Sequence, residues 1–308
     1  MDFGDSPEEA EFRLRLRSWL EVNNPGLPAS STDDDVQARF LPGIVNGRDR
    51  WCQGFSEPDA GSDLASLRTR ADRDGDEYVI SGHKVWTSYS DDADFCLVLA
   101  RTDHEVARHK GISAFALPMR QTGVEQRPLP MINGITKEFG EVIFDGARVP
   151  AANMIGRPGE GWPLAMTIVS HEREPHELGF AGRYVKQVKD LVARVNAGPG
   201  AYGTEQVRDV AWAIVESEML RLHVRRRLSD RLDGIVHGPE GSVDKLLMTW
   251  AEQTVGHAAL SIGGARATGP DDTLLKVYLY SRAQSVMGGT SQIQRNLVAS
   301  RILGLPAS

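Results

Sequence analysis

Glu172 stands between His171 and Arg173 in a largely apolar stretch that opens at Pro163. In a closed apolar pocket such a carboxylate has its pKa raised toward neutrality and becomes an effective proton acceptor. On a solvated face it is an ordinary ion-pair partner. A second set lies in Trp51-Cys52-Gln53-Gly54-Phe55-Ser56-Glu57-Pro58-Asp59-Ala60-Gly61-Ser62-Asp63 and, beyond a hairpin, in Val85-Trp86-Thr87-Ser88. Gly54 and Gly61 tolerate positive φ, and Pro58 presets a tight turn. Around Ala60-Gly61-Ser62 the backbone can pass close to a flat or charged ligand and offer it N–H groups; as bare sequence the stretch is equally a plain turn, with Trp86 a packing residue. His171 and His176 do not suggest zinc, because five residues set them about 140° apart on a helix and Pro175 intervenes. No metal site is expected. Arg221, Arg225, Arg226, Arg227 and Arg231 read as a solvated helix face or as partners for inter-subunit ion pairs. Cys52 and Cys96 are too isolated for a metal or disulfide spacing.

These groups need elements to hold them. Ser6-Pro7-Glu8-Glu9 reads as a capped helix start, with Phe12, Leu16, Trp19 and Leu20 on one apolar face and a stop at Asn24-Pro25-Gly26. A polar linker over 27–35 and a short helical piece near 36–40 lead into Leu41-Pro42-Gly43. From 64 to 149 the pattern is β. Asp74-Gly75 is a hairpin signal before Tyr78-Val79-Ile80, and 94–100, 112–117 and 138–144 are short apolar runs bounded by Gly, Pro or Asp. From Pro163 onward the chain is helical. Pro175 interrupts or kinks the first helix, which resumes over 180–195. Further helices are expected over 205–231, from 239 to about 260, over 273–282 and over 291–303, and together they make a bundle. The expected fold class is α+β: an N-terminal helix and linker (1–38), a central antiparallel β domain (39–154) and a C-terminal helical bundle (155–308).

The 308 residues carry 35 basic and 42 acidic side chains, for a net charge of −7. That acidic balance argues against nucleic acid as a partner. Scarce cysteine suits a reducing compartment, so a cytoplasmic location is expected. Met1-Asp2-Phe3-Gly4-Asp5 lacks the apolar core of a signal peptide, and no apolar run is long enough to span a bilayer.

Ser56-Glu57-Pro58-Asp59-Ala60-Gly61-Ser62-Asp63, followed after the hairpin by Lys84-Val85-Trp86-Thr87-Ser88, resembles the middle domain of the flavin-dependent acyl-CoA dehydrogenases. The resemblance covers about 1–24 and 36–308, and it implies FAD as cofactor and 2,3-desaturation of an acyl-CoA thioester. By the same resemblance Glu172, directly before Arg173, is one of two homes for the catalytic base. The other is the position of Gly288 in Met287-Gly288-Gly289-Thr290-Ser291-Gln292, which is bare here but still offers a backbone N–H to the developing enolate oxygen. Phe55, Ser56, Gly61, Ser62, Trp86 and Ser88 are implied around the flavin and substrate, with Thr290 and Gln292 reaching across from the bundle. Electron-transferring flavoprotein is the implied acceptor, and the basic stretch gains a possible place near the phosphates of coenzyme A.

Three features depart from the family pattern. Several helices between the first helix and Arg39 are missing, which truncates the N-terminal segment and removes a wall of the acyl pocket. The Arg-x-x-Phe-Gly segment is replaced by Arg183-Tyr184-Val185-Lys186-Gln187, and Gln-x-x-Gly-Gly is reduced to Leu260-Ser261-Ile262-Gly263-Gly264. Both of the latter changes remove polar partners of a diphosphate. They resemble subunits of heteromeric enzymes acting on steroid side chains, so a homo- or hetero-oligomer is expected. A non-catalytic partner subunit is the alternative.

Overall fold

The computed structural model describes residues 34–306 apart from 136, 174–175, 236–237 and 270–272. The expected helix bearing Phe12, Leu16, Trp19 and Leu20 lies outside these residues. Helix α1 (Asp34–Val45) runs through Pro42, where the sequence predicts a stop. Proline deletes an amide donor and crowds the preceding turn, but tertiary contact holds this helix in place. Phe40 is buried edge-on to Trp51 and Phe95, with centroids 5.3 and 5.2 Å away, and Arg39 donates to Asn153 at 2.6 Å. Residue 38 therefore falls inside a helix.

Strands β1 (Trp51–Gly54), β2 (Arg70–Asp74), β3 (Glu77–Ser88), β4 (Phe95–Arg101), β5 (Ile112–Pro118), β6 (Val124–Leu129), β7 (Phe139–Pro150) and β8 (Met154–Ile155) follow. They form one eight-stranded sheet ordered β6-β7-β3-β2-β4-β5-β8, with β1 paired to β4. Most of the ladder is antiparallel. The sheet is nonetheless mixed, because β1 runs parallel to β4, and β2 meets β4 in parallel at Arg70 and Arg101. Ile80, Val142 and Phe144 on one side and Val98, Phe115 and Leu117 on the other close a single core. The parallel β1–β4 pair also makes Cys52 and Cys96 register partners, so two cysteines that look isolated in sequence are neighbours in space. Both are buried free thiols. The contact with Cys52, together with burial, pushes the Cys96 thiol well up.

The bundle comprises α2 (Gly161–Arg173), α3 (His176–Ala197), α4 (Thr204–Leu232), α5 (Gly241–Gly263), α6 (Thr273–Ser281) and α7 (Ser291–Leu297), the last continuing as a π-helical turn over Val298–Ile302. Tyr184, Leu191, Leu220, Val255 and Ile262 form its core. The basic stretch of α4 is only partly solvated. Arg227 is buried and donates to Asp244 at 3.1 Å, with His223 bonded to the same carboxylate.

A third cluster is the seam between the sheet and the bundle. Phe55, Ala60, Leu67, Leu99, Ile112 and Ala114 pack with Ala165 of α2, and Trp162, Ile168 and Val169 lie against them. α2 meets β5 so closely that a Cβ on Gly161 would lie 2.6 Å from the Ser113 carbonyl carbon. Only glycine admits that approach. Among the described residues no helix is long and apolar enough to cross a membrane.

Candidate functional site

The glycine loop is fastened from beneath. Lys84, on β3 and fully buried, donates from Nζ to the Phe55 carbonyl at 3.0 Å and to Glu57 Oε1 at 2.9 Å. Glu57 in turn accepts the backbone N–H of Arg68 at 2.6 Å and of Thr69 at 2.9 Å, which closes the loop that contains Gly61 and Ser62. Val85 N–H donates to the Ser56 carbonyl at 3.0 Å, and Glu57 and Ala60 exchange backbone bonds. Phe55 is thus buried in the seam and Ser56 half-buried at its edge, while Gly61 and Ser62 are exposed. Burial pushes the Glu57 carboxyl up, but the Lys84 ammonium and the Thr69 and Arg68 donors outweigh it and hold the group below the usual carboxylate range. Burial lowers Lys84 against the pull of Glu57.

Immediately after Lys84 the β3–β7 register slips, and pairing resumes at Thr87. Such an irregularity re-aims side chains. Trp86 takes φ 61°, a conformation rare for a large side chain, and the residue remains 62% exposed. Phe139 packs edge-on to it at 6.3 Å. Tyr89, also at positive φ, is 63% exposed nearby in sequence, and Ser88 is exposed. An aromatic shelf therefore stands clear of the sheet. Its base is tied to the bundle, because Tyr280 of α6 donates to Glu138 Oε1 at 2.5 Å, and the Glu138 carbonyl accepts the Tyr89 N–H at 2.8 Å. Burial and the Glu138 contact push the Tyr280 phenol up.

Glu172 and Arg173 occupy the last turn of α2, whose earlier turns are fixed in the seam with Phe55. Their side chains lie outside the described residues. Gly288 has φ 62°, with nothing within 4 Å of an added Cβ, so that position is open space. Gln294, fully buried, donates to the Gly288 and Gly289 carbonyls at 3.0 and 3.4 Å. Thr290 caps α7, its hydroxyl oxygen accepting the Ile293 N–H at 3.2 Å, and Gln292 is exposed. Neither forms a hydrogen bond or ring contact with the hairpin among the described residues. The structure thus joins Phe55, Ser56 and Trp86 through Lys84 and Val85, and leaves Thr290 and Gln292 apart from them at the start of α7.

Sequence reasoning missed two features. Lys84 and Glu57 belong to the recognised motif, yet only the fold reveals that they share a buried ion pair. Glu252 of α5 is also buried, accepting from Tyr184 at 2.5 Å with Arg183 at 3.6 Å. Burial pushes its carboxyl up, against the Tyr184 bond and the Arg183 charge. Among the described residues no group of His, Cys, Asp or Glu could hold a metal ion.

Residues 52–147 match the family profile "Acyl-CoA dehydrogenase, middle domain", and residues 159–303 match "Acyl-CoA dehydrogenase, C-terminal domain". Acyl-CoA dehydrogenase IpdE1 of Mycobacterium tuberculosis is 40% identical over 293 residues, spanning 93% of this chain and 74% of its own length. Among solved structures, a variant of the Tcur3481-Tcur3483 steroid ACAD superposes with TM-score 0.83 at 29% identity, covering 99% of this chain and 84% of that one. The ChsE4-ChsE5 complex from Mycobacterium tuberculosis gives TM-score 0.75 at 26% identity, covering 89% and 74%.

Proposed function

Because the chain belongs to the acyl-CoA dehydrogenase family, a family of FAD-dependent oxidoreductases, we propose that it desaturates an acyl-CoA thioester between Cα and Cβ, with Glu172 as the base. Glu172 takes the proton from Cα, and Arg173 beside it carries compensating charge. The Gly288 N–H donates to the carbonyl oxygen on which negative charge develops. When bound, FAD supplies the acceptor for the hydride leaving Cβ. Phe55, Ser56, Gly61, Ser62, Trp86 and Ser88 form its bed, with Thr290 and Gln292 contributing from the bundle side. In this division 39–154 holds the flavin and 155–308 holds the base.

One observation carries the reading. Lys84 on the Phe55 carbonyl and the Val85 N–H on the Ser56 carbonyl position these two residues beside an exposed tryptophan held at positive φ. A flat ring fits there, since Trp86 offers an open face and a Cβ on Gly61 would meet nothing within 4 Å. Glu172→Gln is expected to lower turnover about 100-fold or more while leaving flavin content unchanged. Unchanged turnover would remove Glu172 as the base.

Association with another acyl-CoA dehydrogenase subunit belongs to the same proposal. The similar structures named above are of two-component assemblies. Trp212, Val215, Met219 and Leu222 of α4 and Trp250 of α5 are exposed, an apolar surface of the kind that oligomers cover. Electron-transferring flavoprotein is the proposed acceptor of the electrons. A second reading, a non-catalytic partner subunit, draws support from Leu260 and Arg183-Tyr184 standing where diphosphate partners are expected. Colour separates the two. A chain that carries flavin and turns over substrate is the enzyme, and one that turns yellow only through its partner's flavin is the accessory subunit.

A further inference from the structure

We propose that Lys84 is a positioning residue for the ligand of the Trp86 shelf, acting through the peptide that joins Phe55 to Ser56; this rests on the flavoprotein reading above. In a planar trans peptide the carbonyl and the following N–H point in opposite directions. Lys84 Nζ grips the Phe55 carbonyl from inside the sheet at 3.0 Å. The N–H of Ser56, on the same peptide, therefore points away from β3, and it has no hydrogen-bond partner among the described residues. The next carbonyl, that of Ser56, is also taken from the β3 side by Val85 N–H, and the next N–H, that of Glu57, is turned into the loop toward Ala60. Of the groups in these two peptides, the Ser56 N–H is the one left without a partner among the described residues, and β3 presents the tryptophan two residues after Lys84. Glu57 has a different task. It compensates the buried ammonium and closes the loop through Arg68 and Thr69, but it does not touch the peptide that is being aimed. The same lysine thus sets the loop's donor and, through its strand, the aromatic face, and an acceptor atom on the rim of the flavin ring would meet both at once.

The roles of the two charges separate experimentally. Flavin affinity is read by fluorescence titration of the assembled protein, alongside its melting temperature and the visible circular dichroism of the bound flavin. Lys84→Met is expected to weaken FAD binding about tenfold or more, the scale of one lost hydrogen bond to a charged donor, and to alter the visible dichroism at temperatures where the variant is folded. Glu57→Gln keeps a donor on Lys84. It is expected to lower the melting temperature yet hold FAD affinity within about threefold of wild type. The proposal is overturned if folded Lys84→Met binds FAD like wild type, or if both variants lose affinity in proportion to their loss of melting temperature. A wild-type assembly that takes up no flavin on this chain is a distinct result, which overturns the flavoprotein reading and this inference with it.

Discussion

Glu57 in the sheet and Glu252 in the bundle are both buried carboxylates, and their environments push them in opposite directions. Burial penalises the charged form of both. Glu57 meets a buried ammonium at 2.9 Å and two backbone N–H groups, so its charged form wins. Glu252 meets a phenol, the Gln284 side chain and a guanidinium that is half-exposed and 3.6 Å away, with the Arg282 charge beyond, yet burial wins. The difference shows what a buried acid needs in order to stay ionised: a partner that is itself desolvated, with the remaining lone pairs answered by fixed donors. The first arrangement fixes a loop in one conformation. The second leaves a carboxyl in the bundle core that holds its proton more tightly than a solvated one.

Removing the carboxylates tests that contrast most directly. Glu57→Ala leaves the Lys84 ammonium buried without its partner and is expected to cost about 3–5 kcal/mol in denaturant unfolding. Glu252→Gln replaces a penalised charge by a neutral group that still accepts from Tyr184, and is expected to stay within about 1 kcal/mol of wild type. Equal losses would erase the distinction. A smaller effect is expected with pH. Glu57, held below its unfolded value, contributes stability that is present above that value and lost as pH falls through the folded one. Glu252, held above its unfolded value, makes the folded chain bind the proton more tightly, so stability is lost as pH rises from the unfolded value through the folded one. Melting curves against pH should therefore lose part of their acid-side slope in Glu57→Gln and part of the decline above the usual carboxylate range in Glu252→Gln. The smallest effect is expected at the seam. Tyr280→Phe deletes the bond to Glu138 and should cost about 1 kcal/mol; no change would mean that this contact between sheet and bundle adds nothing to stability.

The β strands, the helical bundle and the glycine loop were legible because each is written in contiguous residues. The motif around Ser56 and Trp86 carries its own signature, and Asp74-Gly75 marks its hairpin. Lys84 was legible as part of that motif but its partner was not, since the pair spans 27 positions and only the fold of β3 against the loop unites them. Parallel pairing hid the Cys52 and Cys96 contact in the same way. Pro42 misled because local preference says stop, while Phe40 buried against Trp51 and Phe95 says continue. The family resemblance implies Thr290 as a ligand contact, and the fold adds that its hydroxyl oxygen also caps α7. Glu252 sends no local signal at all, because a lone acid inside an amphipathic helix looks like any solvated one until its neighbours are placed.

The contact between Gly161 and Ser113 has a mechanical meaning. α2 is a rod clamped at its foot, and Glu172 rides eleven residues up it, about 16 Å along the axis. With Ala165, Ile168 and Val169 holding its middle in the seam, a side chain added at that foot would shift the whole rod, and the proposed base at its far end would move with it.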